Sequence, residues 1–201
     1  YKSKDTLGFD LLANNIKTDK KKSALLATEL PLLLIKQKND TLYVSADTLY
    51  SGKITDLKRP FPKARDSVGK MTYSTLDKYF EAFHHVQIYS DSLQAKCDSL
   101  FYALSDSTIR LISRPIVWAN NNQITGDTIY MYVQNKKPEQ LNVFNNALAI
   151  NKIDTTDFYN QIKGSRLNAW FNDGELIKMR CKGNAENIYF AMDNDKNFVG
   201  I

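Results

Sequence analysis

Asn122-Gln123-Ile124-Thr125-Gly126-Asp127-Thr128-Ile129-Tyr130 is the stretch that decides the fold class. Apolar residues alternate with polar ones, as in a strand with one buried face. A small residue and an aspartate then interrupt the alternation, and Ile129 resumes it. The same pattern, an aliphatic–x–aliphatic pair leading to a small residue and then Asp or Ser, recurs at Leu42–Asp47, Val86–Asp91, Leu93–Asp98 and Asn160–Ser165. Two residues past the Asp or Ser stands Leu or Ile: Leu49, Leu93, Leu100, Ile129 and Leu167. A repeated strand unit predicts a stacked all-β architecture, and such folds bind along a surface more often than they catalyse in a pocket.

Working outward from the motif gives a longer unit of strand, turn, strand, short kink and strand. Asp98–Tyr102 is followed by a turn, then Ile109–Leu111, then a kink at Arg114-Pro115 and a third strand over Ile116–Trp118. The copies starting at Asp127 and Ser165 have the same order, with Asn146-Ala147 and Asn184-Ala185 at the kink. An earlier copy ends in Leu30-Pro31-Leu32-Leu33-Leu34-Ile35. Starts at 98, 127 and 165 are 29 and 38 residues apart, a scatter that fits structural repeats with variable loops. Asn172-Asp173-Gly174 is the strongest hairpin signal, because Asp-Gly supplies the positive φ of a tight turn. Only Ser74–His85 carries a helical spacing, and Tyr79–Phe83 within it equally suits a strand. Residues 53–75, with Lys58-Arg59-Pro60-Phe61-Pro62, read as a loop insertion, either tolerated or a basic lip near a mouth of the fold.

Counted from the motif Asp or Ser, positions −5, −3, +2, +4 and +6 are mostly apolar. They place Leu42, Val44 and Leu49 on one face, with Leu93, Ala95, Leu100, Tyr102 and Leu104. Ile124, Ile129, Met131 and Val133 follow, then Ile162, Leu167, Ala169 and Phe171. After the kinks the same face is assigned Leu32 and Leu34, and Ile116 and Trp118. The small residue before the Asp, Gly at 126 and 164, predicts a bulge or sharp bend. The Asp then serves the bend by accepting local backbone N–H bonds and has no catalytic part. The inner face holds little that could catalyse. It suits either a dry core or a long groove between two sheets, where burial contributes about 25 cal/mol per Å² of apolar ligand surface.

The bulk properties agree with a binding module. The chain has 201 residues, 43% hydrophobic and 24% charged, which suits one large all-β domain. The formal net charge is +5, and Lys20-Lys21-Lys22 is its tight basic run. Spread in this way among acids, the charge is a weak footprint for nucleic acid. No stretch approaches the roughly 18 apolar residues of a membrane-spanning helix. The chain opens on Tyr1 without a signal peptide and reads as trimmed. Cys97 and Cys181 read as buried free thiols rather than a disulfide framework. His84 and His85 read as surface histidines facing opposite ways, and with two histidines and distant cysteines no zinc set has ligand spacing. Asp193–Asn197 lacks the Gly and Glu of a calcium loop, and no nucleophile or phosphate-loop motif is present. No catalytic residue, metal or cofactor is expected.

Asp-Thr-Leu-Tyr-Val-Ser-Ala-Asp-Thr-Leu-Tyr (40–50), Asn-Gln-Ile-Thr-Gly-Asp-Thr-Ile-Tyr (122–130) and Gly-Asn-Ala-Glu-Asn-Ile-Tyr (183–189) resemble the OstA-like family. Its fold is that of the LptA-type periplasmic lipopolysaccharide-transport proteins, LptC and the N-terminal domain of LptD, and the flavour is closest to the OstA-like proteins of Bacteroidetes. The resemblance covers roughly residues 24–200. It implies an all-β OstA/LptA-like β-jellyroll of stacked antiparallel strands, two sheets in an open V, filling residues 1–201 as one domain, with 1–23 an irregular start or incomplete first repeat. It further implies a non-enzymatic periplasmic or outer-membrane-associated carrier of lipopolysaccharide or lipid A. Such a protein joins similar domains through edge strands, as homo- or hetero-oligomers, and takes no nucleic acid. The alternative is a structural or cell-surface β-repeat protein with a closed dry core.

Carried onto this sequence, the lipid-facing residues are Leu42, Val44, Val86, Ile88, Ile116, Trp118, Leu167, Ala169 and Phe171. The inward face adds Leu34, Leu100, Tyr102, Ile124, Ile129 and Met131. Lys36, Lys38, Lys58 and Arg59 are the candidates for lipid phosphates. The chain departs from the family pattern in its long 53–75 insertion and in the Asn-Ala that replaces the kink proline in several copies.

Overall fold

The computed structural model describes residues 2–4, 9–36, 41–57, 77–91, 93–103, 105, 107–134, 137–153, 156–172, 175–193 and 198–200. The first strands are β1 (Lys2–Lys4), β2 (Phe9–Leu12), β3 (Asn15–Asp19), β4 (Ala24–Thr28), β5 (Leu32–Lys36), β6 (Thr41–Ser45) and β7 (Thr48–Lys53). A 3-10 turn at Ile54–Asp56 precedes β8 (Lys78–Tyr89), β9 (Gln94–Ala103), β10 (Thr108–Ile112), β11 (Ile116–Ala119), β12 (Asn122–Thr125) and β13 (Thr128–Gln134). The chain continues through β14 (Lys137–Lys152), β15 (Tyr159–Asn172), β16 (Glu175–Lys182), β17 (Glu186–Ile188), β18 (Ala191–Met192) and β19 (Phe198–Gly200). The fold is all-β. The helical spacing over 74–85 resolves as strand β8 in its described part, where Tyr79, Phe80, Phe83, Val86, Ile88 and Tyr89 favour a pleated surface.

Every pairing is antiparallel, and two ladders run side by side. The first joins β1, β2, β5, β6, the C-terminal half of β8, the N-terminal half of β9, β11, β12, the C-terminal half of β14, the N-terminal half of β15, and β17. The second joins β3, β4, β7 and the remaining half of β8, then the remaining half of β9, β10, β13, the remaining halves of β14 and β15, and β16. Neighbours follow chain order in both ladders, so the topology is a bent meander. A jellyroll needs Greek-key crossings, and the described strands make none, which corrects that part of the expectation. Residues 9–19 form a rung paired with β4 and β5.

The ladders meet along a row of corners of two kinds that alternate down the fold. One kind has two consecutive residues at positive φ: Glu29/Leu30, His84/His85, Ser113/Arg114, Asn145/Asn146 and Gly183/Asn184. These are the predicted kinks, and His84/His85 is one that the sequence did not reveal. The other kind carries Asn14, Asp47, Asp98, Asp127 or Ser165. Backbone bonds tie each kind to the next: Asp47 N–H donates to His84 O at 3.0 Å, Asp127 N–H to Asn145 O at 3.1 Å, and Ser165 N–H to Gly183 O at 2.7 Å. Positive φ is costly for non-glycine residues, and five such pairs in one row persist because the flanking ladders hold them on both sides. Four of the five sequence motifs end at corners. The fifth, Val86–Asp91, ends in the β8–β9 hairpin, where Ser90 N–H donates to Leu93 O at 2.8 Å.

The corner aspartates bond to side chains on the neighbouring strands. Asp47 Oδ2 lies 2.9 Å from His85 Nδ1, and Asp98 Oδ1 lies 3.1 Å from His84 Nδ1. Asn146 Nδ2 donates to both oxygens of Asp127 at 3.0 and 3.2 Å. Asp47, Asp98 and Asp127 therefore each staple their own corner to a positive-φ corner on the adjoining strand.

Residues from both ladders form one buried apolar cluster, from Leu11, Leu33 and Val44 to Leu141, Val143 and Leu167. A smaller cluster of Ile54, Tyr79, Phe101 and Ala103 lies on the opposite face of the second ladder. Beside it Arg110, 3% exposed, sits 5.6 Å from the Phe101 ring and 5.3 Å from the Tyr130 ring.

Candidate functional site

Register fixes which side chains line the interior, because antiparallel partners share a face. In the second ladder the row nearest the corners reads Ala27, Leu49, Ala82, Leu100, Leu111, Ile129, Val143, Leu167 and Cys181. In the first ladder, one inward step out from the corner pairs Val86–Cys97 and Ala147–Gly164, a row reads Leu11, Leu33, Val44, Ile88, Ala95, Val117, Ile124, Ala149 and Ile162. Nine consecutive rungs thus present apolar or thiol side chains in each ladder.

Burial falls with distance from the corners. Leu49, Ala82, Leu111, Ile129 and Leu167 are fully buried. Farther out, Leu25, Ile35, Leu42, Phe80, Leu93, Tyr102, Ile109, Val133 and Phe171 are only partly covered while still packed on the same cluster. Coverage of the interior is therefore greatest along the corner row and declines away from it. A cavity of about 50 Å³ remains between the ladders, lined among others by Leu93, Val117 and Ile124 from one side and Met131, Leu141 and Phe171 from the other. That is room for a water molecule or two at about 30 Å³ each.

The structure places most of the sequence-predicted residues in this interior. Val44, Val86, Ile88, Leu100, Ile124, Ile129, Met131, Leu167 and Ala169 belong to the buried cluster, with Leu42, Tyr102 and Phe171 packed against it. Leu34, Ile116 and Trp118 do not face it. Leu34 pairs with Tyr43 on the opposite face, while its neighbour Leu33 pairs with Val44 inside. Ile116 pairs with Lys96, Trp118 pairs with Gln94 and donates Nε1–H to Gln123 Oε1 at 2.9 Å, and Val117 between them is buried. The physical reason is the phase at each corner. Across an Asp or Ser corner successive inward residues are five apart (Val44 and Leu49, Ile124 and Ile129). Across a positive-φ corner the spacing stays even (Ala82 and Val86, Leu111 and Val117), and the kink prolines Pro31 and Pro115 are themselves buried inward positions. Inward positions after them are two residues on, at Leu33 and Val117.

Lys38, Lys58 and Arg59 lie outside the described residues, and so does the side chain of Lys36. The sequence reading missed Leu33, Val117, Leu141, Val143 and Ala149. It also missed three asparagines in register at the mouth of the first ladder, Asn122, Asn151 and Asn160. Two-residue counting from the kink prolines would have found Leu33 and Val117. No motif marks the asparagines.

Cys97 is buried, and desolvation pushes its thiol up to about 12, so at neutral pH it is a poor nucleophile. Cys97 and Cys181 are free thiols. Among the described residues no group of three or more His, Cys, Asp or Glu could hold a metal ion.

No family model matches the chain, and no curated protein matches it. Among solved structures it is similar to LptH of Pseudomonas aeruginosa, the LptA homologous periplasmic component of the conserved lipopolysaccharide transport device. That likeness covers 61% of this chain and 74% of that one at 15% identity, with a TM-score of 0.36. A superposition that loose carries no argument about this chain's fold or role.

Proposed function

We propose that this protein is a periplasmic, non-enzymatic lipid carrier of lipopolysaccharide transport, in which the two ladders act as two sheets of an open V around acyl chains. The observation that carries the reading is the graded interior: nine apolar rungs on each side, buried at the corners and half-covered at the mouth. The two ladders are joined along the corners, and no described strand pairing closes the mouth. Opening is then a hinge movement about the corner row, and acyl chains replace the side-chain contacts it breaks. Each buried methylene contributes about 0.8 kcal/mol, so several chains offset the exposure of the mouth. Lys36, the last residue of β5, is a proposed phosphate contact, with Lys38, Lys58 and Arg59.

The terminal rungs support end-to-end assembly with similar domains. β16 and β17 end the two ladders with Ile177 and Ile188 at 64% and 45% exposure, and unpaired strand edges invite strand addition. The small cavity favours a second reading, a β-repeat interaction protein whose closed core never opens.

A face-specific crosslink separates the two readings. A photoreactive residue at Leu42 or Phe171 is expected to capture lipid in cells, and the same residue at Leu34 or Trp118 is not. Equal capture on both faces, or none at Leu42 and Phe171, would sink the cleft. Native mass spectrometry of protein taken from mild detergent gives the independent reading, since copurified lipid opposes a permanently closed core.

A further inference from the structure

A second cavity of about 360 Å³ lies beside the mouth of the first ladder, and its chemistry is unlike that of the cleft. Its polar lining comprises Asn121, Asn151, Asn160, Thr156 and Lys152, with the exposed ring of Tyr189 as one wall. Its described lining residues include no carboxylate. The size falls within the ordinary range of small-ligand pockets, about 300–1,000 Å³.

The walls are held in place before any ligand arrives. Asn122, Asn151 and Asn160 stand in one cross-strand row over β12, β14 and β15. Asn151 Nδ2 donates to Asn122 Oδ1 at 3.0 Å, and Asn160 Oδ1 accepts Phe190 N–H at 2.9 Å. The turn beside them is pinned by Ile153 N–H to Phe158 O at 3.1 Å and by Thr156 Oγ1 to Ile153 O at 3.0 Å. Phe158 stacks on Phe190 with ring centroids 4.8 Å apart, which fixes the C-terminal segment that carries Tyr189. Such prior fixing lowers the ordering cost of binding.

We infer that this pocket binds a saccharide, the sugar end of the amphiphile whose chains the cleft takes, an assignment that rests on the lipid-carrier reading above. A carboxamide both donates and accepts, which suits hydroxyl groups that do the same. A tyrosine ring offers an apolar face with a polar tip, matching the two kinds of surface on a pyranose. Lys152 admits an anionic substituent on the sugar. The placement joins head to chain: Asn122 lines the apolar cavity of the cleft, while its bonded partner Asn151 lines the polar one. One amide pair thus stands between the two compartments.

The test uses soluble sugars without acyl chains, so that it is independent of the cleft. Glucose, maltose and glucose 6-phosphate are titrated into labelled protein while the side-chain amide signals of Asn151 and Asn160 are followed. The expected result is a saturable shift in roughly the millimolar range with at least one of them. Tyr189→Ala is expected to weaken it roughly fivefold or more, and displacement of a fluorescent fatty acid from the cleft is expected to stay unchanged. No shift with any sugar, or full affinity in Tyr189→Ala, overturns the assignment. Inorganic phosphate giving the same shifts, abolished by Lys152→Ala, also overturns it in favour of a simple anion site. The fatty-acid readout fails on its own if the cleft reading is the one at fault.

Discussion

The row of side chains along the corners and the row along the mouth draw on the same aliphatic residues, yet the first is buried and the second half-covered. The difference is geometric. At the corner row each strand bends, and its two halves press their inner faces together; toward the mouth the ladders are tied only by what packs between them. Stability thus concentrates where the strands turn. The sharpest way to break the contrast is to truncate one residue in each row. Ile129→Ala removes a fully buried side chain and is expected to cost about 2–5 kcal/mol. Leu42→Ala removes a partly covered one and is expected to cost about 1 kcal/mol. Urea denaturation midpoints check both, and equal losses would mean that the mouth is as much core as the corner.

Gly126 sharpens the same contrast from the backbone side. A Cβ at this position meets Val143 Cγ1 in direct overlap and lies 3.1 Å from Asn145 O. Gly126→Ala therefore forces the Asp127 corner away from the neighbouring Asn145/Asn146 corner. The expected loss is about 1–3 kcal/mol by denaturation. A neutral result would show that neighbouring corners are not in tight register.

The two cysteines probe the ends of the fold. Cys97 is buried midway along it, whereas Cys181 lies half-exposed on β16, the last strand of the second ladder. An alkylating reagent is expected to modify Cys181 in the native state and to reach Cys97 only after unfolding or cleft opening, read by peptide mass. Fast labelling of Cys97 in native protein would mean that the cleft opens spontaneously along its length.

The all-β class, the corners at Asp47, Asp98, Asp127 and Ser165, and the five-residue jump of the inward phase across them were legible in the sequence. There the inward residues lie on either side of one short polar break, so local alternation suffices. The phase beyond the kinks was not. A pair of positive-φ residues leaves no mark in alternation when it is Ser113-Arg114 or His84-His85, and the buried Pro115 reads as a breaker instead of an inward position. The saccharide pocket was illegible for a different reason. Asn122, Asn151 and Asn160 come from three strands and meet only through register, which single-chain periodicity does not carry.

The smallest effect concerns the outer side of the corner row, where solvent screens what the interior does not. His84 Nδ1 and Asp98 Oδ1 are 3.1 Å apart with both side chains largely in water. The hydrogen bond to Asp98, and then its charge, raise the His84 pKa above the ordinary histidine value. The bond from His84, and then that from Ser99, hold Asp98 below the usual carboxylate range. The sign follows from linkage. The contribution through His84 is fully present below the unfolded histidine pKa and is lost as pH rises through the raised folded value. The contribution through Asp98 is present above the ordinary carboxylate pKa and is lost as pH falls through its lowered one. The staple therefore acts between those two limits, in mildly acidic to near-neutral solution. An NMR titration of His84 is expected to give a midpoint above about 6.5 that drops toward it in Asp98→Asn, with little change in thermal stability because the pair is exposed. An unchanged midpoint in Asp98→Asn would mean that the corner positions the two groups without coupling them. The carboxylate would then be serving the bend alone.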